Sequence, residues 1–241
     1  MSKNSRLKRE AKKYTDCDMK PSNVAQFERK NKQLEAITPL QQDYISVLRH
    51  DEMVVGAGRA GTGKTYISSR VAAEFFRDHK FTERLILTRP NVEVGKGMGY
   101  LPGEISEKYA PYLEPFEKGL KDELGANKYN NDLYKNIIPT PLCYMRGKTF
   151  DNAIMLLDEA QNTTIEEMKM FLTRVGTNSK IFITGDESDQ NDLRVKENGL
   201  QWLIREARRQ HTTIEIIQFG IKDCVRSPLC KDMLQLIERA E

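Results

Sequence analysis

Short apolar runs alternate with longer amphipathic stretches along most of the chain. Five of these runs show almost no polar alternation, and they cover residues 53–57, 84–88, 153–157, 180–184 and 213–219. A strand without alternation is buried on both of its faces, which is typical of a parallel sheet covered by helices. The pattern therefore predicts an α/β fold with a mostly parallel sheet and helices on both faces.

Apolar residues at helical spacing recur in the segments between these runs. The helices predicted in this way cover residues 41–50, 64–77, 164–175, 196–209 and 227–238. Residues 22–36 are also compatible with a helix, because Ser22 or Asn23 can cap its first turn. The polar, Asn-rich residues 125–136 are predicted to be a surface insertion.

Positive charge is concentrated near the start of the chain. The 241 residues carry a formal net charge of +3, yet residues 1–50 contain eleven Lys or Arg against six Asp or Glu. A basic segment can attract phosphate backbones, although a solvated tail is the more ordinary interpretation of such a run. We predict a basic arm over residues 1–38, partly disordered or helical, followed by one domain over residues 39–241.

The composition disfavours several classes of protein. No apolar run approaches the ~20 residues of a membrane-spanning helix, and the basic start lacks the apolar stretch of a secretory signal. Cys17, Cys143, Cys224 and Cys230 form no Cys-x-x-Cys pair, and the three histidines offer no zinc spacing. We therefore expect reduced thiols and a cytoplasmic location. The chain is also too short for an enzyme built from two nucleotide-binding lobes.

The strongest motif is GRAGTGKT at residues 58–65, which matches the phosphate-binding pattern G-x-x-x-x-G-K-[ST] without departure. An apolar run precedes it and a helical segment follows it, as this motif requires. Its glycines let the backbone N–H groups face phosphate oxygens, and the helix dipole adds positive potential at the same place. The predicted nucleotide-binding residues are Gly58, Arg59, Ala60, Gly61, Thr62, Gly63, Lys64, Thr65 and Tyr66.

Two acidic residues complete the predicted chemistry. Within the loop, Lys64 is expected to reach the β- and γ-phosphates and Thr65 to offer its hydroxyl to Mg²⁺. The apolar run at residues 153–157 ends in Asp158 and Glu159, and ligands lie at the carboxyl ends of parallel strands. Asp158 is predicted to complete the magnesium site, and Glu159 to polarise an attacking water. A hydrolase needs that second acid, whereas a kinase does not.

Two glutamines are further candidates for this site. Gln190 follows residues 180–184, whose end is expected beside Asp158, so it can contact both the γ-phosphate and water. The Gly-Asp pair that precedes this Gln is also ordinary turn chemistry. Gln41 lies upstream of the loop and either hydrogen-bonds the adenine edge or faces solvent. The residues alone leave both pairs of alternatives open.

With these residues assembled, the chain resembles the PhoH family of ATPases over residues 39–235. The shared motifs, in family order, are GRAGTGKTY, LTRPNVEVGKGMGYLPG, EKYAPYLEPF, MRGKTF, LLDEAQNTT, MKMFLTRVG, ITGD and DCVRSPL. The resemblance implies a single RecA-like P-loop NTPase lobe, related to superfamily-one helicase cores. It also implies ATP hydrolysis with Mg²⁺, binding or unwinding of RNA or single-stranded nucleic acid, and rings of subunits.

The resemblance also implies roles for individual residues. Gln41 joins the adenine site, and Arg89 and Lys96 contact the nucleic-acid strand. Arg146, Arg174 and Arg226 match family arginines, any of which could supply charge to the γ-phosphate within the chain or from a neighbouring subunit. Arg174 and Arg226 are the two predicted catalytic arginines.

Three positions depart from the family pattern. Arg59 stands where the family usually has proline. Ser227, which follows Arg226, stands where the family commonly has histidine. The segment at residues 185–192 is one residue longer than the family pattern, so either Gln190 or Asp189 can occupy the position that contacts the γ-phosphate.

The inferences converge on an ATPase and leave two functional classes open. The first is a motor or remodeller that couples ATP hydrolysis to RNA or single-stranded nucleic acid. The second is a nucleotide-dependent switch that binds a protein partner without separating strands. Because one lobe is too small to close over its own nucleotide, we also expect a homo-oligomer, such as a hexameric ring, with ATP sites at subunit borders.

Overall fold

A computed structural model describes residues 33–78, 82–90, 105–187 and 196–238 of the chain. Within these ranges the strands are β1 Met53–Gly58, β2 Arg84–Thr88, β3 Ile137–Pro139, β4 Ala153–Leu157, β5 Lys180–Gly185 and β6 Glu215–Phe219. The helices are α1 Pro39–His50, α2 Lys64–Arg77, α3 Ile105–Leu124, α4 Ala126–Asp132, α5 Ile165–Leu172, α6 Gly199–Gln210 and α7 Pro228–Glu238. Among the described helices, none combines the length and the apolar character that crossing a membrane demands.

The strands form one sheet in the order β3-β2-β4-β5-β1-β6, and every pair in it is parallel. Strand β1 lies between β5 and β6, so that Val55 is opposite both Ile183 and Ile216. Each of the five predicted apolar runs is a strand of this sheet. The prediction of a parallel α/β fold is therefore confirmed.

Two hydrophobic cores lie on the two faces of the sheet. Val54 of β1 faces the first core, which takes its helical residues from α1 to α4. The next residue, Val55, faces the second core, which takes its helical residues from α5 and α6. Successive strand residues point to opposite faces, and here both faces are apolar because both are covered.

Local capping fixes where several helices begin. Thr38 accepts a hydrogen bond from the backbone N–H of Gln41, and Pro39 follows at the first position of α1. Thr164 and Glu167 form a reciprocal capping box at the start of α5. Asn198 forms the same arrangement with Gln201, so α6 begins at Gly199 rather than at the predicted residue 196.

The prediction missed α3 and β3. The helix α3 contains Pro111, Pro115 and Gly119, which are helix breakers by local propensity. Tertiary packing explains Gly119: a Cβ there would lie 2.7 Å from the Cβ of Ser69 on α2, so only glycine allows this close approach. The predicted surface insertion is also more ordered than expected, because residues 126–132 form α4 and Tyr129 is buried.

A buried ion pair joins α2 to α3. Arg70 Nη2 lies 2.6 Å from Glu123 Oε2, and both side chains are almost completely buried. Arg77 contacts the other carboxylate oxygen of Glu123. Removing one partner of such a pair costs far more than the pair contributes, because it leaves a buried charge uncompensated. The pair therefore fixes how α2 sits against α3.

The predicted arm lies mostly outside the described part of the chain. Residues 33–38 precede α1 without helical structure, so the end of the helix predicted over residues 22–36 is not helical. Cys143, Cys224 and Cys230 are free thiols, as expected, whereas Cys17 lies outside the described residues.

Candidate functional site

The predicted site residues meet at the carboxyl edge of the sheet. Strand β1 ends at Gly58, and α2 begins at Lys64 after a five-residue turn. Asp158 and Glu159 follow β4, whose neighbours in the sheet are β2 and β5. In parallel α/β sheets this edge is where ligands bind, because the loops after the strands converge there.

The turn between β1 and α2 depends on its glycines. Gly58, Gly61 and Gly63 have φ values of 126°, 80° and 84°, which side chains rarely adopt. Space also restricts the turn: a Cβ on Gly61 would lie 2.9 Å from Cδ of Arg226 and 3.1 Å from Sγ of Cys224. The resulting curl is the backbone shape that can surround a phosphate group.

Lys64 places its ammonium group at the centre of this turn. Its Nζ donates to the carbonyl oxygens of Gly58 at 2.5 Å and Arg59 at 2.8 Å, and to Thr62 Oγ1 at 3.2 Å. Burial lowers the pKa of Lys64 below its ordinary value, and the nearby carboxylates, led by Asp186, oppose that change. The turn therefore holds a cation where a polyphosphate would need one.

Asp158 is held by hydroxyl groups from two elements. Thr65 Oγ1 at the start of α2 donates to Asp158 Oδ1 at 2.8 Å, and Thr184 Oγ1 on β5 donates to the same oxygen at 2.6 Å. The Asp158 side chain is 5% exposed. The hydroxyl of Thr65 and the carboxylate of Asp158 thus converge as an oxygen pair from two distant parts of the sequence.

Glu159 has an unusual backbone and two side-chain partners. Its φ of 54° and ψ of 41° lie in the left-handed region, which is strained for a non-glycine residue. Gln161 Nε2 donates to Glu159 Oε2 at 2.5 Å, and Arg89 Nη2 lies 3.4 Å from Oε1. Arg89 Nε also lies 3.5 Å from Asp158 Oδ2, so this arginine spans both carboxylates. Its predicted contact with nucleic acid stays a prediction.

Gln161 is a site residue for which the sequence predicted no role. It is 5% exposed, and while its amide nitrogen holds Glu159, its Oε1 accepts a hydrogen bond from the backbone N–H of Asp186 at 3.0 Å. A Cβ on Gly185 would lie 2.8 Å from this Oε1, so glycine there leaves room for the amide. Gln161 therefore links Glu159 to the end of β5. The signal in the sequence was a Gln two residues after the acid pair.

Gln41 is hydrogen-bonded to the phosphate-binding turn, whereas the Tyr66 hydroxyl contacts α3. Gln41 is 2% exposed, donates from Nε2 to the Thr62 carbonyl at 2.9 Å, and accepts from the Ile37 N–H at 2.8 Å. The solvent-facing alternative for Gln41 is therefore wrong, and its adenine contact stays a prediction. The Tyr66 hydroxyl donates to Asp122 Oδ2 on α3 at 3.0 Å.

The two candidate catalytic arginines lie at opposite edges of the sheet. Arg226 packs its stem on Gly61, and the N–H of Val225 donates to the Gly61 carbonyl at 3.0 Å. Arg174 follows α5, and its Nη1 donates to the carbonyl of Lys148, which precedes β4. The position of Arg174 argues against action on the nucleotide of its own chain, and its action on a neighbouring subunit stays a prediction. Gln190 and Lys96 lie outside the described residues.

Comparison with known proteins assigns the chain to a family. The family model described as "PhoH-like protein" matches residues 33–238. The PhoH-like protein of Bacillus subtilis (strain 168) is 39% identical over 211 residues, which are 87% of this chain and 66% of that protein. Protein PhoH of Escherichia coli (strain K12) is 40% identical over 197 residues, 80% of this chain and 55% of that protein. The chain thus spans between half and two thirds of the length of these relatives.

The fold is also similar to that of a solved bacteriophage protein. The large terminase from a thermophilic bacteriophage superposes with a TM-score of 0.57 at 12% identity, over 83% of this chain and 50% of that one. At this identity the similarity concerns the fold, and it agrees with a RecA-like P-loop lobe. From the family match, the identity to its relatives and the architecture of the sheet, we conclude that the chain belongs to the PhoH-like protein family and has the P-loop ATPase fold.

Proposed function

We propose that this protein binds ATP with Mg²⁺ at the turn of residues 58–65, hydrolyses it, and couples hydrolysis to the binding or remodelling of RNA or other single-stranded nucleic acid. The observation that carries the hydrolytic part is the 2.8 Å hydrogen bond between the Thr65 hydroxyl and Asp158, with Glu159 next to it. The phosphate-binding turn, the proposed magnesium ligands and the candidate base therefore lie at the same edge of the sheet.

The residues present fit a magnesium nucleotide. Mg²⁺ bound to a nucleotide takes one or two protein oxygens and completes its shell with phosphate oxygens and water. The hydroxyl of Thr65 and the carboxylate of Asp158 supply that number of oxygens at one point. When bound, the metal neutralises charge on the β- and γ-phosphate oxygens.

Two side chains would serve hydrolysis directly. The Lys64 ammonium, which now lies on the carbonyls of Gly58 and Arg59, would bind the β- and γ-phosphate oxygens. Glu159 would accept a proton from the attacking water. Its Oε2 is already held by Gln161, so Oε1, which faces Arg89 at the longer distance of 3.4 Å, is the oxygen that would take this part.

Arg226 would add positive charge at the phosphate turn of its own chain. Its stem packs against Gly61 in the turn that also holds Lys64, and the N–H of Val225 next to it donates to the Gly61 carbonyl. An arginine that stabilises charge on the transferred phosphoryl group can be worth about 10³–10⁵ in rate. Arg226 is therefore our candidate for an arginine that acts within the chain.

The proposal includes a homo-oligomer, such as a hexameric ring. Arg174 lies at the edge of the sheet opposite its own Lys64, so only the ATP site of another subunit is open to it. Helix α7 supports assembly as well, because one face of it exposes apolar side chains to solvent; these are Leu229, Met233, Leu236 and Ile237. Light scattering over a dilution series tests assembly: an enzyme that remains monomeric and retains its full turnover would contradict it.

The experiment that tests the proposed function is a phosphate-release assay at fixed salt with ATP and Mg²⁺. Turnover is measured without nucleic acid, with single-stranded RNA, and with single-stranded DNA. We expect basal hydrolysis that single strands increase. Hydrolysis that no strand increases would support a nucleotide-dependent switch instead, and the absence of hydrolysis under all conditions would contradict the proposal as a whole.

A further inference from the structure

The connection between β3 and β4 is anchored firmly at both ends. The N–H of Thr140 donates to the Leu87 carbonyl on β2 at 2.9 Å, and the N–H of Phe150 donates to the Arg174 carbonyl at 2.9 Å. Between these points Leu142, Met145 and Phe150 are buried in the second core. The backbone of this connection therefore has a fixed position, although it is a loop for most of its length.

The other side of the same connection is polar, aromatic and exposed. Tyr144 is 55% exposed, although burying a large aromatic side chain is favourable. Arg146 and Lys148 are also exposed. Within the described part of the chain, no ion pair with Asp or Glu is formed by either cation. We call the side chains of Tyr144, Arg146 and Lys148 the 144–148 surface.

A third cation lies beside this surface. The guanidinium of Arg174 donates from Nη1 to the Lys148 carbonyl at 3.2 Å and from Nε to the Met170 carbonyl at 3.1 Å, so carbonyl groups hold it in place. Asp151 lies close in sequence, but its carboxylate accepts a hydrogen bond from the N–H of Thr177 at 2.7 Å. The positive charge of the 144–148 surface is thus left to a partner.

The chemistry of that partner follows from the combination of residues. Uncompensated Arg and Lys side chains bind phosphate groups, and an exposed tyrosine offers a face on which an unpaired base can stack. The bases of a duplex are stacked on one another, so their faces are not available to the Tyr144 ring. An acidic peptide would bind the two cations but would provide no base to stack on that ring. A single-stranded polynucleotide uses both features at once.

The connection that carries this surface begins at the carboxyl edge of the sheet and runs towards the amino edge, where Lys148 meets Arg174. Thr140, where the connection begins, is bonded to Leu87 on β2, and Arg89, which contacts both Asp158 and Glu159, follows directly after that strand. We propose that the 144–148 surface binds single-stranded nucleic acid, with Tyr144 stacking on a base and Arg146 and Lys148 contacting phosphates. This inference rests on the nucleic-acid part of the proposed function and assigns it a site.

The test measures binding of a labelled single-stranded oligouridylate of ~15 nucleotides, near the upper end of common site sizes for single strands. The full chain is titrated at several salt concentrations, and anisotropy gives the dissociation constant. Tyr144→Ala should weaken binding by about 5- to 150-fold, the usual range for one base stacked on an aromatic ring. Tyr144→Phe keeps the ring and should restore the affinity.

The two cations are tested through the dependence of binding on salt. Arg146→Gln and Lys148→Gln should each reduce the slope of log K against log salt by about 0.7, because each removes one phosphate contact. Arg208→Gln is the matched control, since Arg208 is an exposed arginine on α6 far along the chain from this surface. It should leave both affinity and slope unchanged.

Several results would overturn the assignment. The assignment is wrong if the wild-type protein binds no single strand, or if Tyr144→Ala binds it with wild-type affinity. It is also wrong if Arg208→Gln reduces the affinity or the salt slope as much as Arg146→Gln does. Polyglutamate that displaces the strand at equal charge would indicate an acidic protein partner. A lower mass of the variants in light scattering would indicate a contact between subunits.

Failure of this inference is distinguishable from failure of the proposed function. Tyr144 and Lys148 have no proposed part in the ATP site, so basal phosphate release without nucleic acid should be unchanged in the variants of these two residues. If wild-type hydrolysis rises with single strands and the variants respond in the same way, the function stands and the assigned surface is wrong. If wild-type protein releases no phosphate, the hydrolytic proposal fails whatever the anisotropy shows.

Discussion

Replacement of Glu159 by glutamine separates ATP binding from ATP hydrolysis. The change removes a base but preserves shape, because an amide oxygen can still accept the hydrogen bond that Gln161 Nε2 donates. The contact with Arg89 is lost, yet it spans 3.4 Å and the Glu159 side chain is 43% exposed. A partly exposed ion pair of this kind contributes about 0–1 kcal/mol, so the fold should remain intact.

The expected loss lies in the chemical step. General-base catalysis contributes about 10²–10⁴ in rate, or about 3–5 kcal/mol of barrier, and Glu159→Gln should lose that factor in kcat. Affinity for ATP should hold, since Lys64, Thr65 and Asp158 are unchanged. Single-turnover phosphate release and equilibrium binding of a fluorescent ATP analogue measure the two quantities. Glu166→Gln, at an exposed position on α5, is the matched control and should behave as wild type. Normal hydrolysis by Glu159→Gln would refute the assigned role.

Three further substitutions test other parts of the site and its support. Lys64→Ala should abolish hydrolysis and weaken nucleotide binding without lowering the melting temperature, as phosphate release, equilibrium binding and thermal unfolding can check. Gln161→Met removes a hydrogen bond to the charged Glu159 carboxylate, which is worth about 1.5–3 kcal/mol. It should lower kcat by up to about 100-fold and leave the affinity for nucleotide unchanged. An equal loss of nucleotide affinity would indicate a merely structural role. Arg70→Met should lower the free energy of unfolding in urea by about 3 kcal/mol. Adding Glu123→Leu should recover most of this loss, because the buried carboxylate is then removed as well. A double variant that is no more stable than Arg70→Met would show that the buried pair does not explain the loss.

The parts of the site that sequence could predict are those encoded by neighbouring residues. The turn of residues 58–65 and the acid pair after β4 each require a strand followed directly by particular side chains. Apolar runs locate such strands without any knowledge of their partners. Because the ends of parallel strands share one edge, the meeting of Thr65 with Asp158, 93 residues later, followed from the fold class alone.

What the sequence could not predict depends on contacts between distant elements. Helix α3 contains two prolines and a glycine, and its stability comes from packing on α2 and from the pair between Arg70 and Glu123. Local propensity therefore argued against it. The role of Gln161 depends likewise on how close the end of β5 comes to the turn after β4, which no spacing along the chain reveals.

The topology of the fold places the two predicted catalytic arginines at different ends of the sheet strands. Arg174 and Arg226 both match family motifs. Helix α5 starts near the carboxyl edge of the sheet and runs back towards the amino edge, so Arg174 at its end is carried away from the nucleotide turn. The segment after β6 stays at the carboxyl edge, which brings Arg226 onto Gly61.

The central claim is that the turn of residues 58–65, Thr65 and Asp158 hold a magnesium nucleotide. A crystal structure of the full chain with Mg²⁺ and a non-hydrolysable ATP analogue tests it most directly. We predict that the Lys64 ammonium leaves the carbonyls of Gly58 and Arg59 for phosphate oxygens, with the metal at Thr65 and Asp158. A nucleotide bound elsewhere, or Lys64 still bonded to those carbonyls beside a bound triphosphate, would contradict the account.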